Sequence, residues 1–205
     1  MALALLTPPA VEPVTLAEAR QHLRVDHEAE DALIAALIRA AREAAEAHTG
    51  LALIAQGWRL SLDAPAPADP GWWDGLRDGA IGVAPDAVIA LPRPPLVAVT
   101  EVRAYDASDA ATVIDPASYY VDTASRPGRL VLRAGTLWPA SLRAVDALAI
   151  DFTAGFGDAA HTVPQALRQG LLAHVAQLYA QRGDGPATAP AAALALYAPF
   201  RVHSL

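Results

Sequence analysis

The chain has 205 residues, 54% hydrophobic and only 18% charged, with a formal net charge of −7 and no cysteine. That length suits one ordinary domain or a domain carrying a sizeable insertion. The missing cysteine excludes disulfides, zinc–thiolate sites and thiol nucleophiles, and the acidity argues against a general nucleic-acid binder, whose affinity comes from basic groups displacing counterions.

The charged share falls below the roughly one quarter typical of soluble domains. Two readings fit: extra surface buried against partners, or simply an alanine-rich coding sequence. Lysine and asparagine are both absent. Their codons are AT-rich, so the source genome reads as GC-rich, a bacterium or its virus.

The opening Met1-Ala2-Leu3-Ala4-Leu5-Leu6 is apolar but lacks a basic leader region and gives way at once to prolines. It does not read as a signal peptide. No apolar run reaches the roughly 18 residues needed to span a bilayer.

Two helices are predicted in the first quarter. Thr15 and Glu18 form a capping box, in which the threonine oxygen takes the third helical amide and the glutamate reaches back. It opens a short helix from Leu16 to about Arg24. Asp26 is expected to cap a second helix, whose first turns carry Glu28, Glu30 and Asp31, carboxylates that complement the helix dipole. Leu33, Ile34, Leu37, Ile38, Ala41 and Ala45 share one face, and Gly50 ends the helix.

From Gln56 to Gly157 the apolar period shifts towards two. Trp58, Leu60 and Leu62 alternate, as do Leu148, Ile150 and Phe152. Val88–Leu91, Val97–Tyr105, Tyr119–Asp122 and Leu130–Leu132 read as further strands, with a turn at Arg126–Arg129. Between the first two of these lies Leu91-Pro92-Arg93-Pro94-Pro95-Leu96. Three prolines in four positions fix φ and remove backbone donors, so this is a stiff corner joining two strands. Ala64–Gly82, with three prolines and the pair Trp72 and Trp73, has no period and reads as a long exposed loop that docks onto something.

Helix returns with a cap at Thr162 and an early Pro164. Leu167, Leu171, His174, Val175 and Leu178 make one stripe. Gly183–Pro186 is a linker, and Ala191–Tyr197 a short last helix ended by Pro199. The layout is α+β: a mostly helical connector bundle, with two N-terminal helices and a long C-terminal helix, and an inserted β-rich module. The expected boundaries are 1–54, 55–160 and 161–205, within one structural unit.

No catalytic constellation emerges. His27 with Glu30 and Asp31 lacks the paired imidazoles of a helical zinc motif. His174 lies on an apolar stripe and reads as packed. Ala154-Gly155-Phe156-Gly157-Asp158 lacks the third glycine and the immediate helix of a phosphate loop, and reads as a strand-ending turn. No cofactor, metal or catalytic residue is expected.

Together these residues resemble the head–tail connector (adaptor) family of long-tailed phages and gene-transfer agents. The marks run in order: Thr15-Leu16-Ala17-Glu18-Ala19-Arg20-Gln21-His22-Leu23-Arg24; the acidic spacer Asp26 to Asp31; Glu46-Ala47-His48-Thr49-Gly50; Gln56 and Trp58; the proline corner; Tyr119-Tyr120-Val121; and Trp138-Pro139. Phe152-Thr153-Ala154-Gly155-Phe156-Gly157, Val163-Pro164, Tyr179-Ala180-Gln181-Arg182 and Leu196-Tyr197-Ala198-Pro199-Phe200-Arg201 complete the series. The length of the 64–82 loop departs from the pattern.

The resemblance implies a structural adaptor: a homo-oligomeric ring of roughly twelve copies under the portal, its cyclic symmetry matching the portal's own. The ring would extend the DNA channel, let DNA pass through without specific binding, touch no membrane, and offer a platform for a stopper or the next tail connector. Assembly would take place in the bacterial cytoplasm, and the finished ring would sit at the head–tail junction. Portal docking falls on Leu194, Leu196, Tyr197, Phe200 and Arg201, apolar anchors and an arginine of the kinds enriched at interface hot spots. A terminal helix folded back on its own core is the alternative. Trp72 and Trp73 are candidate tail-side contacts. Glu28, Glu30, Asp31, Glu43 and Glu46 are candidates for an acidic face lining the channel, where DNA must slide without sticking, or for a merely solvated helix face. Two other classes stay open: a stopper or tail terminator, and an enzyme of unrecognised type.

Overall fold

A computed structural model describes residues 1–64, 88–181 and 188–202. The chain divides into two compact units, each built from separate stretches of sequence. One comprises Pro8–Gln56, Arg93–Pro95 and Ala154–Leu205, and the other Met1–Thr7, Gly57–Pro92 and Leu96–Thr153.

The first unit is helical: α1 (Leu16–Leu23), α2 (Asp31–Thr49), α3 (Gln165–Gln181) and α4 (Ala191–Tyr197). The capping box opens α1 as expected, with Glu18 N donating to the Thr15 hydroxyl and Thr15 N to the Glu18 carboxylate. α2 starts later than Asp26. Glu30 is its N-cap and gives no side-chain cap bond, so the acidic stretch before Asp31 stays outside the helix. The apolar stripe behaves as its spacing dictates: Ile34, Ile38, Ala41 and Ala45 are buried with Leu167, Leu171 and Val175 of α3 and Ala193 and Tyr197 of α4.

The second unit is built of β-strands. Its five-stranded sheet has the order β1 (Ala2–Thr7), β2 (Gln56–Leu62), β8 (Leu148–Ala154), β4 (Leu96–Tyr105), β5 (Ala111–Val113). A three-stranded sheet has the order β3 (Val88–Leu91), β7 (Gly128–Leu132), β6 (Tyr119–Asp122). β1 pairs antiparallel with β2, setting Leu3 opposite Leu60 and Leu5 opposite Trp58. Leu60, Val102, Ala104, Ile150 and Phe152 are buried from the larger sheet, and Leu91, Tyr119, Leu130 and Leu132 from the smaller. Strand period two explains the complementary polar row. Arg59 of β2 grips Asp151 of β8 through two nitrogens at 2.6 and 2.7 Å, and Arg103 of β4 does the same to Glu101.

The expectation of a mostly helical bundle is therefore corrected. Among the described residues, eight strands in two antiparallel sheets stand beside four α-helices. The reason lies at the sheet edges. β1 and β5 are exposed almost throughout, so neither shows the in–out alternation that marks a half-buried strand.

The proline corner has a second role. Leu91 ends β3 and Leu96 opens β4, while the three residues Arg93–Pro95 belong to the helical unit. Arg93, at a positive φ of 63°, donates from Nη1 to the Glu46 carbonyl at 2.9 Å. The Pro94 and Pro95 carbonyls accept from Ala52 N at 3.1 Å and Gly155 N at 2.9 Å. Prolines donate nothing themselves, but their carbonyls remain free to accept.

Candidate interaction surfaces

The C-terminal segment is anchored before it can present anything. Tyr197 is fully buried in the helical core. Its ring lies against Gly170 of α3, where any side chain would run into the aromatic edge. His48 of α2 lies 6.2 Å away, ring to ring. Beyond α4, Val202 N donates to the Thr49 carbonyl at 2.8 Å and brings the chain back to the end of α2. Leu194 and Phe200 are partly buried against the same core. Leu196 is half-buried, and Arg201 is exposed. The five predicted docking residues thus share one short segment but divide in role: Tyr197 faces inward, and Arg201, with parts of Leu196 and Phe200, faces out.

Burial leaves two polar groups of this core without hydrogen-bonding partners, the Tyr197 hydroxyl and both ring nitrogens of His174. Desolvation pushes the Tyr197 phenol far above its ordinary value and pulls the His174 imidazole below its own. His174 is therefore neutral inside the core, a packed histidine as its place on the apolar stripe implies.

The predicted acidic face also divides. Glu28 and Glu43 are exposed. Glu30 accepts from the Tyr179 hydroxyl of α3, and Asp31 lies 3.4 Å from Arg20. Glu46 is only 7% exposed and serves the fold. One of its carboxylate oxygens accepts from Leu53 N at 2.9 Å and Gln56 Nε2 at 2.7 Å. The other takes Arg42 at 3.0 Å. Arg42, equally buried, also reaches Glu12 at 2.7 Å. Nothing in the sequence separates this inward glutamate from its outward neighbours except its place one turn beyond Arg42. Trp72 and Trp73 lie outside the described residues.

The Ala154–Asp158 stretch forms the strand-ending turn. Gly155 has φ of 141°, and a β-carbon there would come within about 2.5 Å of the Ala55 nitrogen. Ala55 N donates to the Gly157 carbonyl at 2.8 Å. The glycines serve close backbone packing and cradle no phosphate.

An apolar depression of about 460 Å³ is walled by Val11, Val14, Leu16, Ala35 and Ile38. Of its polar neighbours, Thr15 and Glu12 are committed to the capping box and to Arg42, and Asp158 is the third. No nucleophile and base converge there. Among the described residues no cluster of histidine and carboxylate could hold a metal ion, and no helix is long and apolar enough to cross a membrane.

Residues 13–104 match the family model described as phage gp6-like head–tail connector protein. A chain from the neck of an empty gene transfer agent (GTA) particle, computed with C6 symmetry, aligns at 29% identity with a TM-score of 0.77. The alignment covers 100% of this chain and 97% of that one. Chains from the virion of a native gene transfer agent particle and from a native neck computed with C12 symmetry align over the same shares at the same identity, with TM-scores of 0.75 and 0.74. No curated protein matches. Residues 13–104 thus resemble the head–tail connector family, and the whole chain is similar to chains of gene transfer agent necks, which are structural proteins and not enzymes.

Proposed function

We propose that this chain is the adaptor subunit of a phage-like neck, forming a closed ring of roughly twelve copies beneath the portal, the closure expected of one repeated head-to-tail contact. The observation that carries the reading is the end-to-end similarity to chains of gene transfer agent necks computed with C6 and C12 symmetry. A net charge of −7 suits a channel that lets DNA pass without holding it. Assembly takes place in the bacterial cytoplasm, and the ring then joins the head to the tail through a stopper or the next connector.

The C-terminal segment is the portal-docking element in this reading. Tyr197 and Val202 hold it to the helical unit, and Leu196, Phe200 and Arg201 meet the portal, with Leu194 packed beneath. Glu28 and Glu43 are the exposed carboxylates available to the lumen, and Trp72 and Trp73 the candidate tail-side contact. Electron microscopy of the purified chain with purified portal tests the ring: a closed ring on the portal is expected, and its absence at every concentration would overturn the reading. The double variant Phe200→Ala/Arg201→Ala should stay folded, with an unchanged circular dichroism spectrum and only a modestly lowered melt, but lose portal binding. Unchanged binding would sink the C-terminal assignment.

A further inference from the structure

The outermost strands of the larger sheet are unusual for a protein that stays alone. Sheet edges present unpaired amides and carbonyls, and stable monomers blunt them with charge, proline, bulges or cover. β1 reads Ala2-Leu3-Ala4-Leu5-Leu6-Thr7, with no charge and no proline. Its pairing to β2 shifts register only between Leu5 and Thr7, which leaves residues 2–5 as a regular edge. All but Leu3 are exposed, and Leu5 and Leu6 each stand 47% exposed. β5, at the opposite edge, reads Ala111-Thr112-Val113, uncharged and exposed throughout, with Val113 at 60%. The edges of the smaller sheet differ. β3 is mostly half-buried or buried, and β6 ends on Asp122, which pairs with Arg129 at 2.6 Å.

We propose that β1 of one copy adds to β5 of the next, so that the five-stranded sheets join edge to edge around the ring. This rests on the ring reading above. The occupant is a second copy for three reasons. The matched chains come from necks computed with C6 and C12 symmetry, where a repeated neighbour is another copy. A ring of more than two copies needs two different surfaces that complement each other, and β1 and β5 are different edges of one sheet. Copies each carrying −7 repel, and contact through two uncharged strands brings no like charges together. Main-chain hydrogen bonds then supply the pairing, and the exposed leucines and Val113 lose their contact with water.

The chain has no cysteine, so introduced thiols report cleanly. The variant Leu5→Cys/Thr112→Cys is assembled on purified portal, imaged, treated with a short bis-maleimide and run on a denaturing gel. The expected result is a ladder of covalent multiples up to the full ring, absent from either single variant. Rings that form on the portal yet give no ladder would overturn the strand pairing and leave the ring reading standing. Dimers from Leu5→Cys alone, or its capture by the portal, would also overturn it. Absence of any ring would overturn the ring reading and this inference with it. As a second measurement, Leu5→Lys should keep the wild-type melting temperature and lose ring assembly; rings of normal yield would count against the proposal.

Discussion

The two units manage polar and apolar groups in opposite ways. The helical unit buries what water would welcome: His174 and Tyr197 without partners, and the Glu12–Arg42–Glu46 chain. The sheet unit exposes what water would reject: Leu5, Leu6, Val113, Tyr120 and, at 90%, Leu137. A burial pattern of the first kind is a finished core whose polar groups are fixed by their surroundings. One of the second kind leaves apolar side chains in water, where the neighbours proposed above would cover them. The difference teaches that self-contained polar burial gathers in the helical unit, while most of the exposed apolar surface gathers in the sheet unit.

Substitutions can break that contrast, and the largest effects belong to the helical unit. Arg42→Ala leaves Glu46 and Glu12 facing a buried gap and should cost about 3–5 kcal/mol in chemical denaturation. A loss under about 1 kcal/mol, the size of an exposed pair, would mean the network is open to solvent. Gly170→Ala should cost about 1–3 kcal/mol by overpacking against the Tyr197 ring. Its signature would be faster proteolysis of the segment after residue 188, and an unchanged melt would show that α4 sits loosely.

A pH series sharpens the contrast further. The folded pKa of His174 lies below its ordinary value of 6.5 because burial disfavours the charged ring. Its contribution is complete above about pH 6.5 and is lost as pH falls from there towards the folded value, since only the unfolded chain takes the proton. His174→Leu should flatten that part of the stability profile. Glu18 acts in a separate window. Its pKa is lowered chiefly by the Thr15 backbone hydrogen bond, with Arg168 adding to it, so its support fades only below about pH 4.5. A profile unchanged by His174→Leu would place the imidazole in contact with water.

The smallest effects on stability should come from the sheet edges. Leu5→Ser and Val113→Ser should stay within about 0.5 kcal/mol of the parent, as exposed positions do. Their effect should fall on assembly instead.

How much of this was legible in the sequence follows from the same contrast. α1 could be read from Thr15 and Glu18, the α2 stripe from Ile34, Ile38, Ala41 and Ala45, and β2 and β8 from their alternation, because each rests on a local rule with one buried side. β1 and β5 could not, since strands exposed nearly all round carry no such rule. The corner at Leu91–Leu96 could be read as a corner, because proline is a local constraint. The course of Arg93–Pro95 into the helical unit depends on carbonyls meeting Ala52 and Gly155, distant in sequence, which no local pattern records. Glu46 illustrates the limit for candidate sites. Charge and helix position marked it as exposed, and only the return of Leu53 and Gln56 towards its carboxylate turns it inward.

The central claim is that the core of the helical unit is complete alone, while its C-terminal segment and the sheet edges are covered by assembly. Hydrogen–deuterium exchange, comparing the free chain with the chain assembled on portal, tests it directly. The account predicts new protection at Ala2–Thr7, Ala111–Val113 and the segment around Leu196–Arg201, with α2 and α3 equally protected in both states. Protection gained mainly in α2 and α3, with both strands still exchanging freely, would contradict it.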